Sequence, residues 1–194
     1  ALTWAIADEK TTLALQLVIQ LENYWFSLGY LKEGLDFCRQ LFRLIDTLGV
    51  KDRLRLLQIS SDLGWQQHDF DSALFFLQEQ GKLAREGGFT GEYPLYLNRL
   101  GRIFIEQGKL TQAKEVLNEA LRHVLDDGST LNSGIPLVQL GEIALFEGDH
   151  EKAGLLFHQA LSQLDPKDAI FLDMVRTDLA EIALVKRDFP MTLS

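Results

Sequence analysis

The sequence predicts an all-α protein, a right-handed α-solenoid of about five helix-turn-helix repeats with a period of roughly 39–40 residues. Three observations carry that expectation. "LGRIFIEQGKLTQAKEVLNEAL" at 100–121 is answered in the same register by "LGEIALFEGDHEKAGLLFHQAL" at 140–161. Small and turn-forming residues return in columns at that period. Apolar residues recur at three- and four-residue intervals, as in Leu97, Leu100 and Phe104, then Val116, Leu117 and Leu121, which gathers them on one helix face.

In chain order, complete repeats are expected near 15–50, 54–90, 94–130 and 134–167, with a truncated fifth at 173–194. The first helix of each carries a small or anchoring site, at Glu22, Ser61, Gly101, Gly141 and Ala180. The turns that follow read LGY at 28–30, QHD at 67–69, QGK at 107–109, EGD at 147–149 and KRD at 186–188. Next comes an apolar or ring residue, Leu31, Phe70, Leu110, His150 and Phe189. A small one sits three residues on, at Gly34, Ala73, Ala113, Ala153 and Thr192. Gly29, Gly108 and Gly148 stand where a helix must stop, because glycine takes the left-handed conformation without a Cβ clash. The pairs Gly101/Ala113 and Gly141/Ala153 leave no bulk between the two helices of a unit. Turn-formers at 85–94, 126–134 and 165–168 separate the units. One such hairpin cannot bury its apolar face alone, so neighbouring hairpins stack.

Composition narrows the function. A 46% hydrophobic content suits a soluble protein with a real core rather than a disordered chain. The net charge of −9 opposes a direct grip on nucleic acid, which needs clustered Lys and Arg against phosphate. The charge is spread along the chain, with −4 in residues 1–97 and −5 in 98–194. Cys38 is the single cysteine, so no internal disulfide forms and a reducing cytoplasm is the expected setting. Neither a leader peptide nor a membrane span is visible. The chain opens without an initiator Met and is expected to be a segment of a longer protein.

No GxxxxGK[ST] phosphate loop, CxxC pair, HExxH or GxSxG occurs. His68 and His150 fall in turns, and His123 and His158 on separate helices with no carboxylate arrangement for a metal. The chain is expected to be no enzyme, with no catalytic residue, no cofactor and no metal. Cys38 lies beside Leu41 and Phe42 on an inward helix face and reads as a buried, inert thiol.

The columns of Leu-Gly, aromatic, Gly-(Lys/Asp), Ala and Ala-Leu resemble the tetratricopeptide repeat (TPR), its usual unit lengthened by a longer connecting loop. The resemblance covers residues 13–194. The first unit departs most, with Glu22 at the small site and Gly34 opposite supplying the missing space. A narrower resemblance lies in "ALTWAI" at 1–6, "LALQL" at 13–17 and "YWFSLGYLKEGLDFC" at 24–38. These look like the start of the sensor region of bacterial STAND proteins, the signal-transduction ATPases with numerous domains. That group includes LuxR-type and antibiotic-regulatory-type transcriptional activators. The carrying residues are Trp4-Ala5, Trp25-Phe26 before Gly29, and Glu33-Gly34. This resemblance makes residues 1–12 a linker or starting helix from a preceding domain, and puts the nucleotide-binding engine outside this segment.

In the TPR family the first helix of each unit lines a concave groove. That geometry nominates Asn23, Phe26, Asp62, Trp65, Asn98, Glu142 and Glu181, together with Arg55, Arg99 and Arg102. An apolar stripe (Phe26, Trp65, Ile105, Leu145, Leu184) runs beside a polar one. It reads either as a surface for a peptide or small effector, or as packing between repeats. Phe26 and Trp65 are the members expected to stay partly exposed. The arginines read either as an anion site or as surface partners of Asp62 and Glu106. The carboxylate clamp of chaperone-binding TPR proteins fits poorly, since Gln58 and Leu95 stand where lysines are required.

The expected function is that of a cytoplasmic sensor or protein-interaction module in a STAND-type signalling or transcriptional regulator. Its partner would be a protein, a peptide or a small effector in the groove, with no nucleic acid or membrane contact. Two alternatives stay open, a stand-alone TPR adaptor and a peptide-sensing repeat domain of the Rap type.

Overall fold

The computed structural model describes residues 1–89, 91–126, 133–167 and 169–188. Among the described residues it forms ten α-helices and no strand. The fold class is the all-α, TPR-like solenoid. The chain divides into two compact units, Ala1–Tyr96 and Leu97–Ser194.

The first unit holds α1 (Leu2–Ala7), α2 (Thr11–Leu28), α3 (Leu31–Phe42), α4 (Val50–Gln66) and α5 (Phe70–Glu86). On α2 the buried residues Ala14, Leu15, Val18 and Trp25 recur at helical spacing, and on α3 so do Gly34, Leu35, Cys38 and Leu41. These faces meet Leu56, Ile59 and Leu63 of α4 and Phe76 of α5 in one core. Residues 1–12 do more than link. Leu2 and Ala5 of α1 are buried in that same core, and α2 begins at Thr11, ahead of the boundary expected at 13.

The second unit holds most of α6 (Glu92–Glu106), with α7 (Leu110–Asp126), α8 (Gly134–Phe146), α9 (His150–Leu161) and α10 (Ala169–Asp188). α8 is buried nearly all round, through Leu137, Val138, Gln139, Ile143 and Ala144 among others, as befits a helix with neighbours on several sides. Its core joins Ala153, Phe157 and Ala160 of α9 to Val175 and Ile182 of α10.

The turns work through two devices. Gly29, Gly108 and Gly148 all take positive φ, at 76, 70 and 78°, and each allows the chain to reverse into the next helix. His68 stands in the same turn position with φ 58°, bearing a Cβ that glycine would not. The aspartates of the QHD and EGD turns are N-caps. Asp69 accepts from the Ser72 backbone N–H at 3.2 Å and Asp149 from that of Lys152 at 3.0 Å. The fifth turn is not where the columns put it. Residues 186–188 are still helical, with Arg187 where glycine ends the helices of the third and fourth units. Phe189, Thr192 and the connection at 127–132 lie outside the described residues.

The small residues close the hairpins in an unexpected arrangement. A Cβ built on Gly101 would lie 2.6 Å from Leu117 Cδ2, and one on Gly141 would lie 2.5 Å from Phe157 Cε1. The second-helix residue that fills each glycine's space therefore stands one turn beyond Ala113 or Ala153. In the first unit the space at Gly34 is taken by Trp25, 2.6 Å from such a Cβ, and not by Glu22. Glu22 turns instead to an arginine on α4. Gly64, which no column singled out, approaches Ala73 so closely that a Cβ would meet its backbone nitrogen at 2.9 Å. The neighbouring Ser61 hydroxyl donates to the Ala73 carbonyl at 3.1 Å.

Candidate ligand cleft on the first helices

In the second unit the first helices α6, α8 and α10 together line a cleft of about 600 Å³. The repeat period builds it. Arg102, Ile105 and Glu106 share one face of α6 at i, i+3 and i+4. Glu142, Leu145 and Phe146 stand in the same columns of α8, forty residues on. Met174 and Asp178, one turn apart on α10, complete the wall. Ile105 and Leu145 serve both readings of the apolar stripe. Ile105 is buried against Ala113, Leu117 and Ile143, and Leu145 packs on the α8–α9–α10 core, while both also line the cleft. Phe146 is 69% exposed.

The electrostatics follow from partial burial. Arg102 donates to Glu142 at 3.0 Å, from α6 across to α8. Burial pushes the Glu142 carboxyl up from its ordinary value, Arg102 pulls it down, and the charges of Asp178 and Glu106 push it up again. Asp178 is raised as well, by burial and then by Glu181. The first unit repeats the motif. Arg55 on α4 donates to Glu22 on α2, and burial raises the Glu22 carboxyl against the pull of Arg55, with Asp62 adding to the rise.

These pairs give Arg55 and Arg102 partners that the columns did not name. Arg55 and Arg102 each reach across to the neighbouring first helix, to Glu22 and Glu142. The half-desolvated Glu22 and Glu142 need a counter-charge more than the exposed Glu106 does. Both guanidiniums are thus engaged by carboxylates, which removes the basis for a free anion clamp built on them.

The other nominated residues lie on helices of both units. Asn23 is exposed on α2, Phe26 is half-buried against the first unit's core, and Asp62 and Trp65 are half-buried on α4. Asn98 is only 4% exposed, so its amide lies beneath the surface. Arg99 is half-buried on α6, and Glu181 and Leu184 are exposed on α10. The structure brings Arg102 and Glu142 into one cleft. Glu106, Phe146, Met174 and Asp178 line it too, as do Gly108 and Leu110 where α7 begins, and none of these was nominated. A signal for Glu106 and Phe146 was present, since they are the next residues after the stripe members Ile105 and Leu145. Cys38 is fully buried, and burial pushes its thiol up to about 12, against a hydrogen bond from Ser60. Among the described residues no group of three or more His, Cys, Asp or Glu is placed to hold a metal ion.

Comparison with known proteins gives this geometry a context. Residues 95–122 match the tetratricopeptide repeat. That stretch covers most of α6 and of α7, one helix pair, and TPR repeats form protein-interaction modules. No curated protein sequence matches the chain. Among solved structures it is similar to BtubC (BKLC) from P. vanneervenii, at a TM-score of 0.72 and 19% identity over 97% of this chain and 85% of that one. It is also similar to a Signal Transduction ATPase with Numerous Domains (STAND) protein with a tetratricopeptide repeat sensor from Pyrococcus horikoshii. There the TM-score is 0.70 and the identity 14%, over 89% of this chain and 26% of that one. The chain thus spans about a quarter of the STAND protein's length. At such identities the likeness is one of fold. No helix among the described residues is long and apolar enough to cross a membrane.

Proposed function

We propose that this chain is the regulatory sensor region of a multidomain, cytoplasmic STAND-type regulator, of the LuxR or antibiotic-regulatory kind. It binds a protein or peptide partner through its first helices and is not itself an enzyme. The observation that carries this reading is the cleft on α6, α8 and α10. Residues at matched positions of successive repeats supply both an apolar floor and buried charge there. The likeness in fold to a TPR sensor within a STAND protein supports the same reading. The mechanism is a two-state switch. A partner that prefers one arrangement of the repeats shifts the whole protein toward it, and a partner of equal affinity for both shifts nothing.

The test uses the full-length protein that carries this chain. It is expected to hold a phosphate loop outside these residues, and Phe146→Ala should change how partner binding alters its ATP turnover while leaving basal turnover unchanged. The purified chain alone should hydrolyse no ATP. A full-length protein without a phosphate loop would favour the runner-up, a stand-alone adaptor, which the likeness to BtubC over most of both chains keeps in view.

A further inference from the structure

This inference rests on the reading of the first-helix cleft as the binding surface, and names what the cleft takes. We propose that the cleft between α6, α8 and α10 binds a short peptide segment presenting a lysine or arginine flanked by apolar side chains.

The lining decides the chemistry. Its floor is apolar, through Ile105, Leu145 and Met174, and Phe146 stands exposed at its edge. A pocket of this volume accommodates several side chains, and methionine adapts to irregular ones. Among the described residues one cation lines the cleft, Arg102, against the carboxylates Glu106, Glu142 and Asp178. That cation is already bound to Glu142. Among the described residues three charged groups on the neighbouring helices act on Glu142. Arg102 and Glu106 lie on α6, and Asp178 lies on α10 with Glu181 beside it. The arrangement therefore carries surplus negative charge next to a hydrophobic floor. A bound ammonium or guanidinium would neutralise what burial makes costly, while its apolar neighbours cover Leu145 and Met174. The open face of Phe146 suits the same cation. An acidic segment would place like charges together in a partly desolvated site, which opposes binding.

Protonation ties the cleft to pH. Glu142 and Asp178 titrate above the ordinary carboxylate value, so a cationic peptide must bind more weakly as pH falls through their raised range, and binding must release protons.

The experiment titrates isotopically labelled chain with a short peptide of alternating leucine and lysine, and with counterparts carrying glutamine or glutamate at the lysines. Amide shifts locate the site. The basic peptide is expected to perturb α6, α8 and α10, the glutamate peptide to leave them unmoved, and the glutamine peptide to bind about tenfold more weakly. Asp178→Asn should weaken the basic peptide about tenfold without lowering the melting temperature, whereas Glu115→Gln, on exposed α7 surface, should leave peptide binding unchanged. Equal binding of the glutamine peptide at the cleft would overturn the cation preference and leave the first-helix reading standing. Shifts confined to other helices, or equal losses at Asp178 and Glu115, would overturn the cleft as the site altogether.

Discussion

In the second unit the glycines lie on first helices, Gly101 and Gly141, and large side chains of the second helices, Leu117 and Phe157, fill the space above them. In the α2–α3 hairpin of the first unit the glycine is on the second helix, Gly34, and the knob comes from the first helix as Trp25. The contact is of the same kind with donor and acceptor exchanged. A helix pair of this sort needs one small residue facing one large one, and tolerates either assignment. The exchange frees Glu22 from the small column, so a carboxylate that looked like a defect in the repeat becomes half of the Glu22–Arg55 pair. The second unit, with its glycines on the first helices, uses the corresponding face for Arg102 and Glu142 and opens it as a cleft.

The largest expected effect separates the two tryptophans near the first-helix ends. Trp25→Ala, at 1% exposure, should cost about 3–5 kcal/mol in chemical denaturation. Trp65→Ala, at a half-buried position on α4, should cost about 1 kcal/mol. Equal losses would mean that the first unit has no reversed knob.

Next in size are the glycines. Gly101→Ala should cost about 1–3 kcal/mol by driving a Cβ into Leu117. Leu117→Ala in the same chain should recover part of that cost, whereas Ala113→Gly should recover none. Recovery by Ala113→Gly alone would restore the simple pairing of small columns in the second unit.

The carboxylates give a smaller, pH-dependent contrast. Asp69 feels an upward push from partial burial, but hydrogen bonds from Ser72 and the Arg39 guanidinium hold it below its ordinary value. Its contribution is present above the unfolded value and is lost as pH falls through the folded one. Glu142 and Asp178 have the opposite sign. Being raised when folded, they make stability decline as pH climbs from the ordinary carboxylate value through their own. Asp178→Asn should flatten that decline in melts taken across mildly acidic pH, and an unchanged slope would show that the cleft's charges are relieved in some other way.

The smallest effect concerns the turns. His68→Gly should stabilise by about 0.5 kcal/mol, since a left-handed position without a Cβ costs less, and Gly148→Ala should destabilise by about 1 kcal/mol. Calorimetric melts read both. A destabilised His68→Gly would show that the imidazole, edge-on to Phe70, contributes more than the turn conformation costs.

The repeat was legible because its signals are local. Gly108 and Gly148 stop helices wherever they stand, and apolar spacing places Leu117 and Leu121 on one face without knowledge of the neighbours. The closing contacts were less so, because a small residue does not announce which side chain will fill its space. Trp25 and Glu22 are three residues apart, and the columns could not say which faced Gly34. Across repeats the pattern put Arg102 on the groove side and offered Glu106 of its own helix as a partner, not Glu142 of the next. Burial decided for Glu142 over Glu106, and burial is a property of the stack. Met174 and Asp178 were missed because the repeat columns ran through Ala180, Glu181 and Leu184 on α10, which are not among the cleft's lining residues.

The central claim, that the first-helix face and not the second-helix face engages the partner, is tested by photo-crosslinking at two positions of matched exposure. Phe146 on α8 is 69% exposed and lies in the cleft, while Leu155 on α9 is 68% exposed and lies outside its lining. A photoreactive phenylalanine analogue at each, in the full-length protein in its own cells, reports which surface a partner covers. A discrete adduct is expected from position 146, competed away by the leucine–lysine peptide, and none from position 155. An adduct from 155 with none from 146 would contradict it and place the interaction on the second helices.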